Sequence, residues 1–182
     1  MSGALGKGMN GPESVRLEGL PPIVDAATRV LVLGSFPSVA SLREQAYYGH
    51  PQNHFWRILG ELWGMSLRGR PYEERKAALH AHHLGVWDVY QSCERPGSLD
   101  ADIRHAVPND IAGLIAQCPK LEAIAHNGGE SHRHARLTSA FGLPVYRLPS
   151  TSPANASWSF ERKLAAWSEV LLRHGCGPSP GG

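Results

Sequence analysis

The sequence predicts an α/β fold, a mostly parallel sheet of four strands with helices on both faces. Two observations carry this. Short apolar runs that end in turn residues alternate with segments of helical periodicity, the pattern of successive βα units. A length of 182 residues suits one domain, and no repeat or linker divides it.

Taken in order, RVLVLGS (Arg29 to Ser35) is a continuous apolar run closing on Gly, as in a strand buried on both faces. HFWRILGELW (His54 to Trp63) has apolar residues at helical spacing, with Asn53 before it as a plausible N-cap. PYEERKAALHAHH opens with Pro71 and acidic residues, which is helix-start chemistry. GVWDVY (Gly85 to Tyr90) is the second strand. PNDIAGLIAQC (Pro108 to Cys118) is a helix and LEAIAHN (Leu121 to Asn127) the third strand. A helix from about Glu130 to Ala140 precedes the fourth strand, LPVYRLPS (Leu143 to Ser150). SWSFERKLAAWSEVLLRH (Ser157 to His174) is the clearest amphipathic helix. The Gly-rich ends are expected to be flexible, giving a segment 1–19, a single domain 20–174 and a tail 175–182.

Composition excludes several classes. With 42% hydrophobic and 19% charged residues the chain is globular, and its apolar runs are too short to cross a bilayer. The N-terminus has no apolar signal-peptide region. Three scattered cysteines, Cys93, Cys118 and Cys176, argue against a disulfide framework, a zinc site or an iron–sulfur cluster, and fit a reducing cytoplasm. A net charge of +2 permits nucleic acid without demanding it.

In open α/β sheets the ligand sits outside the carboxyl ends of the strands. Those ends are GSFPS (Gly34 to Ser38), the stretch after Tyr90, HNGG (His126 to Gly129) and LPSTSPANA (Leu148 to Ala156). GSFPS is no P-loop, and by spacing alone reads as a turn. YYGHPQNHFW (Tyr47 to Trp56) crowds aromatic rings around an amide, which suits a pocket that stacks a flat ring and reads its edge; equally, Asn53 caps a helix and Phe55 and Trp56 are core. In HNGGESHRHARL, Asn127 can present its amide, while His132 and Arg133 are basic enough to touch phosphate or simply face solvent. A metal triad of His126, His132 and His134 is disfavoured, because residues two apart lie on different helix faces. LPSTSPANA is either a phosphate-gripping loop with a small apolar tip or a Pro-rich connection. Asp88, Glu94, Asp100 and Asp110 are spread out without metal-ligand spacing.

These motifs, with WDV (87–89), SCERPGSLDADI (92–103), VPND (107–110) and HNG (126–128), resemble in order and spacing the uracil-DNA glycosylase superfamily, and within it the hypoxanthine-DNA glycosylase branch. The resemblance spans about Leu20 to Arg173. It implies a three-layer α/β/α sandwich on a central four-stranded parallel sheet, and an enzyme that flips a nucleotide out of the stack before reaching its glycosidic bond. Many members carry an Asp or Asn in the first motif to orient water; here that place holds Phe36. The resemblance therefore points to Asn53 for the water and Asn127 for the base or leaving atom. It implies a base pocket of Gly34, Ser35, Phe36, Pro37, Tyr48, His50 and Phe55. DNA contacts would come from Ser150, Thr151, Ser152, Pro153, Ala154, Asn155, His132 and Arg133.

The expected activity is monofunctional hydrolysis of a deaminated base, hypoxanthine first, from double-stranded DNA by a monomer needing neither cofactor nor metal. A uracil or mismatch glycosylase is the alternative within enzymes. A damage-sensing DNA-binding module without catalysis, and a small-molecule nucleotide enzyme on a flavodoxin-like sheet, are alternatives from other classes.

Overall fold

A computed structural model describes residues 14–180. The expected flexibility of the first dozen residues lies outside the described residues. The central sheet is parallel, in the order β3 (Leu84–Asp88), β2 (Val30–Gly34), β6 (Ala123–Asn127), β7 (Val145–Leu148). Along β2 the side chains alternate between the faces. Val30 and Val32 join one apolar cluster with Phe55, Leu59, Leu79 and Trp167, whereas Leu31 and Leu33 join another with Ile111, Leu114 and Ile124. Burial on both faces explains the unbroken VLVL run.

Helices α2 (Phe55–Trp63), α3 (Tyr72–Ala81) and α7 (Phe160–Arg173) supply the first cluster. Helix α7 starts at Ser159, whose side chain accepts the Arg162 N–H, and it buries Lys163, Trp167, Val170 and Leu171 on one stripe. Trp167 is fully enclosed and its indole N–H donates to Pro149 O at 3.0 Å. Trp167→Ala is expected to cost about 3–5 kcal/mol of stability, read from urea unfolding. Helix α4 (Ile111–Ile115) packs on the opposite face, capped by Asp110, which accepts the Gly113 N–H.

Four differences from the sequence reading bear on the site. The second strand stops at Asp88 rather than Tyr90, because the chain turns there, with Val89 N–H donating to Gly34 O and Tyr90 N–H to Ser35 O. It then enters a separate three-stranded antiparallel sheet of β1 (Arg16–Glu18), β4 (Tyr90–Glu94) and β5 (Arg104–Pro108), which the sequence reading lacked. A short helix α1 (Val39–Glu44), capped by Ser38, follows GSFPS. The helix expected over 130–140 is two pieces, α5 (Gly129–His132) and α6 (Ala135–Ser139).

The ends also differ from expectation. Residues 16–18 are paired in β1, and Cys176 is fully buried with its carbonyl accepting from Trp63 Nε1, so at these residues the chain is held. All three cysteines are buried and unpaired. Among the described residues no helix is long and apolar enough to cross a membrane.

Candidate active site

The carboxyl ends of the four parallel strands open into a cavity of about 750 Å³. Its wall brings together Gly34 at the end of β2 with Ser35, Phe36 and Pro37 of the loop that follows, Tyr48 and Asn53, Asn127 at the end of β6, and Ser150, Thr151, Ser152, Ala154 and Asn155 after β7. Segments far apart in sequence converge because parallel strands all release their loops at one edge.

The segment 47–56 is held rigidly. The Tyr47 hydroxyl reaches the carbonyls of Leu20 and Pro21, and Trp56 Nε1 donates to Tyr47 O at 2.9 Å. Tyr48 adopts a left-handed backbone conformation with φ of 54°, unfavourable for a residue with a side chain. Its ring lies 4.1 Å from that of Phe55, and its buried hydroxyl makes no hydrogen bond among the described residues. Burial, reinforced by nearby Asp88, pushes the Tyr48 phenol up, so it stays neutral. Asn53 Oδ1 accepts the Phe55 N–H at 2.9 Å, capping α2 from one residue further out than His54, the residue at the helix boundary. An amide oxygen has two lone pairs, so this cap leaves one acceptor position.

Asn127 is clasped to Thr151. Its Oδ1 accepts the Thr151 N–H at 3.0 Å and its Nδ2 donates to Thr151 Oγ1 at 2.9 Å. Thr151 O in turn accepts the His54 N–H at 2.9 Å. Behind Asn127, His126 is fully buried. Ser131 Oγ donates its proton to Leu33 O, so it accepts from His126 Nδ1–H, and Nε2 is left to accept from Thr138. Burial pushes the His126 imidazole down to about 4, consistent with a neutral structural role.

Not every expected residue reaches the cavity. Phe55 is fully enclosed in the core beneath Tyr48, since it is the first buried position of α2. His50 Nδ1 accepts the Gln52 N–H in a local turn and is absent from the wall. Arg133 pairs with Glu130, and His132 packs edge-on against His126; neither lines the cavity. Pro153 lines a neighbouring cleft instead.

The sequence reading passed over two carboxylates that the fold brings to the cavity. Asp88 ends β3 directly opposite Gly34 in the β2–β3 register, and a Cβ on Gly34 would collide with Asp88 Oδ1. Asp88 is 4% exposed, and among the described residues its Oδ2 has no hydrogen-bond partner. Burial first, then the charge of Asp100, pushes the Asp88 carboxyl up to about 7 against the opposing pull of Arg95. Asp100 is exposed at the rim, but its Oδ1 accepts from Ser35 Oγ at 2.6 Å. Burial of its carboxyl pushes Asp100 up as well, against the Ser35 hydrogen bond. The strap 92–103 thus closes over the first loop, with Arg95 donating to Pro37 O and Gly97 O and standing over the Phe36 ring. The Asn109 side chain, in VPND, holds Asp88 O at 2.8 Å. Gly34→Ala is expected to displace the Asp88 carboxyl at a cost of about 1–3 kcal/mol, seen as a lowered melting temperature.

A family model described as the uracil DNA glycosylase superfamily matches residues 21–171. The chain belongs to the uracil DNA glycosylase superfamily. A relative from Methanosarcina acetivorans, named hypoxanthine DNA glycosylase, is 38% identical over 156 residues, covering 86% of this chain and 98% of that one. One of the same name from Methanosarcina barkeri is 35% identical over 159 residues, covering 87% and 100%. The solution NMR structure of a Methanosarcina acetivorans chain superposes with a TM-score of 0.79 at 36% identity, covering 87% of this chain and 98% of the other. Within the superfamily's α/β architecture, the cavity occupies the strand edge where the motifs of the sequence meet.

Proposed function

We propose that this glycosylase extrudes a deaminated nucleotide from double-stranded DNA into the cavity and hydrolyses its N-glycosidic bond, with hypoxanthine the preferred base. The observation that carries the choice of base is the near full-length similarity to two relatives named hypoxanthine DNA glycosylase.

In this reading the second acceptor position of Asn53 Oδ1 orients a water toward the anomeric carbon, giving position rather than basicity because an amide does not titrate. The water oxygen bonds to that carbon, the carbon–nitrogen bond breaks, and its electron pair leaves on the base. A protonated Asp88 donates to the purine and neutralises that charge, while the water's surplus proton passes to solvent. Asn127, through its link with Thr151, fixes the rim that faces the base. Phe36 and Tyr48 supply apolar surface for the ring. The exposed tip Pro153, Ala154 and Ala156 occupies the space the nucleotide leaves, with Ser150 and Ser152 toward phosphate.

The test is a panel of duplexes holding hypoxanthine, uracil, xanthine or ethenoadenine, with alkaline cleavage to reveal abasic sites. Fastest release of hypoxanthine is expected. Fastest release of uracil would replace this reading with the uracil one, and binding without any abasic site would leave only a damage sensor.

A further inference from the structure

A second cleft, of about 470 Å³, adjoins the cavity and shares Asn53, Asn155 and Trp158 with it. Its wall carries Arg57, Arg68, Lys163 and His54, and no acidic residue. Lys163 is the anomaly. It stands in the apolar stripe of α7, four residues before Trp167, and is 1% exposed. Its Nζ lies 3.3 Å from His54 Nδ1 and 3.5 Å from Ser152 O, and among the described residues no carboxylate comes within ion-pair distance. An enclosed ammonium without a counter-ion destabilises a fold, so an apolar residue would serve α7 better.

Among the described residues the neighbouring cations are positioned without being neutralised. The Arg57 guanidinium lies 3.7 Å over the Phe160 ring, and Arg68 Nη2 donates to Pro51 O at 3.3 Å. The ammonium donates to His54 Nδ1, which places the ring proton on Nε2 and makes that nitrogen a donor. Burial, then Lys163, Arg57 and Arg68, push the His54 imidazole down, with exposed Glu161 opposing weakly; burial likewise pushes Lys163 down. An anion in the cleft offsets the mutual repulsion of these groups and supplies Lys163 with a counter-charge.

We propose that the cleft is a phosphate subsite that receives one backbone phosphate of the strand carrying the extruded nucleotide. The proposal rests on the glycosylase reading above. A nucleotide seated in the cavity carries phosphates on both sides of its sugar, and the strand leaving over the shared Asn53–Asn155–Trp158 wall enters the cleft directly. Two guanidinium groups and an ammonium around one concavity match the charge and geometry of a phosphodiester.

The test uses a duplex with a tetrahydrofuran abasic analogue, so that base identity plays no part. Each linkage near the lesion is replaced in turn by a neutral methylphosphonate, and affinity is measured for the wild type, Lys163→Met and Arg57→Gln. One linkage is expected to cost the wild type about tenfold or more, and each variant about twofold or less. Lys163→Met is further expected to melt no lower than the wild type, and to lower the slope of log affinity against log salt by about one. Should Lys163→Met fail to fold, exposed Arg57→Gln carries the same comparison. Equal penalties in wild type and variants at every linkage would overturn the proposal. So would inorganic phosphate raising the wild-type melting temperature with no linkage coupled to Lys163, because the cleft would then bind small anions only. Release of hypoxanthine, assayed separately, reports on the base assignment independently of this coupling.

Discussion

Asn53→Ala will release hypoxanthine from duplex DNA about 10²–10³-fold more slowly than the wild type, the usual loss when one preorganised polar group is removed from a site of charge development. The same substitution removes the oxygen that accepts the Phe55 N–H, so it will also cost about 1 kcal/mol of stability, or about 2–4 °C in melting temperature. Asn53→Ser separates the two roles. A serine hydroxyl caps well but cannot hold water where the longer amide does. It is expected to melt near the wild-type temperature while remaining as slow as the alanine variant in single-turnover base release. Full activity in Asn53→Ser would reduce Asn53 to a helix cap.

Asp88→Asn is the second large effect, and its signature is pH. Burial, then the nearby charge of Asp100, pushes the carboxyl up to about 7. The form that donates to the purine is the protonated one; single-turnover rates are therefore expected to fall as pH rises through about 7 in the wild type. In Asp88→Asn the rate should be about 10²-fold lower at pH 6, with the fall near 7 gone. Stability also declines as pH rises, over a lower range. A carboxyl whose folded pKa is raised contributes stability that is fully present below its unfolded pKa and lost as pH rises to the folded one. Ionising Asp88 thus costs up to about 4 kcal/mol between pH 4 and 7, and Asp88→Asn should be the more stable protein at pH 8. A superimposable pH–rate profile for the two proteins would remove Asp88 from the chemistry.

The central sheet was legible because β2 and β6 are buried on both faces, which leaves a continuous apolar run that few other structures produce. β1, β4 and β5 were not, since these short strands have little periodicity to read; β5 has no buried residue. The same limit applied to the site. Asn53 and Asn127 stand in motifs whose residue types announce a pocket, and both line the cavity. Asp88 was one of four carboxylates spread along the sequence without metal-ligand spacing. Its importance arises from the Gly34↔Asp88 register and from the turn at Val89, both of which depend on strand pairing across more than fifty residues. Phe55, which the resemblance placed in the pocket, is core as its helical position had indicated, because the buried stripe of α2 begins at its first residue.

Thr151 is fully enclosed, and it joins the Asn127 amide, the backbone of His54 beside Asn53, and the loop proposed to meet DNA. These parts cannot shift separately without abandoning hydrogen bonds in a buried place. The receptor is therefore stiff, and on the proposed function the duplex is the partner that must deform. Selection among lesions then begins before any atom of the base is read, in how readily each base pair opens. A hypoxanthine in a weak pair should be found faster than the same base in a strong one, by a protein whose cavity is identical in the two cases.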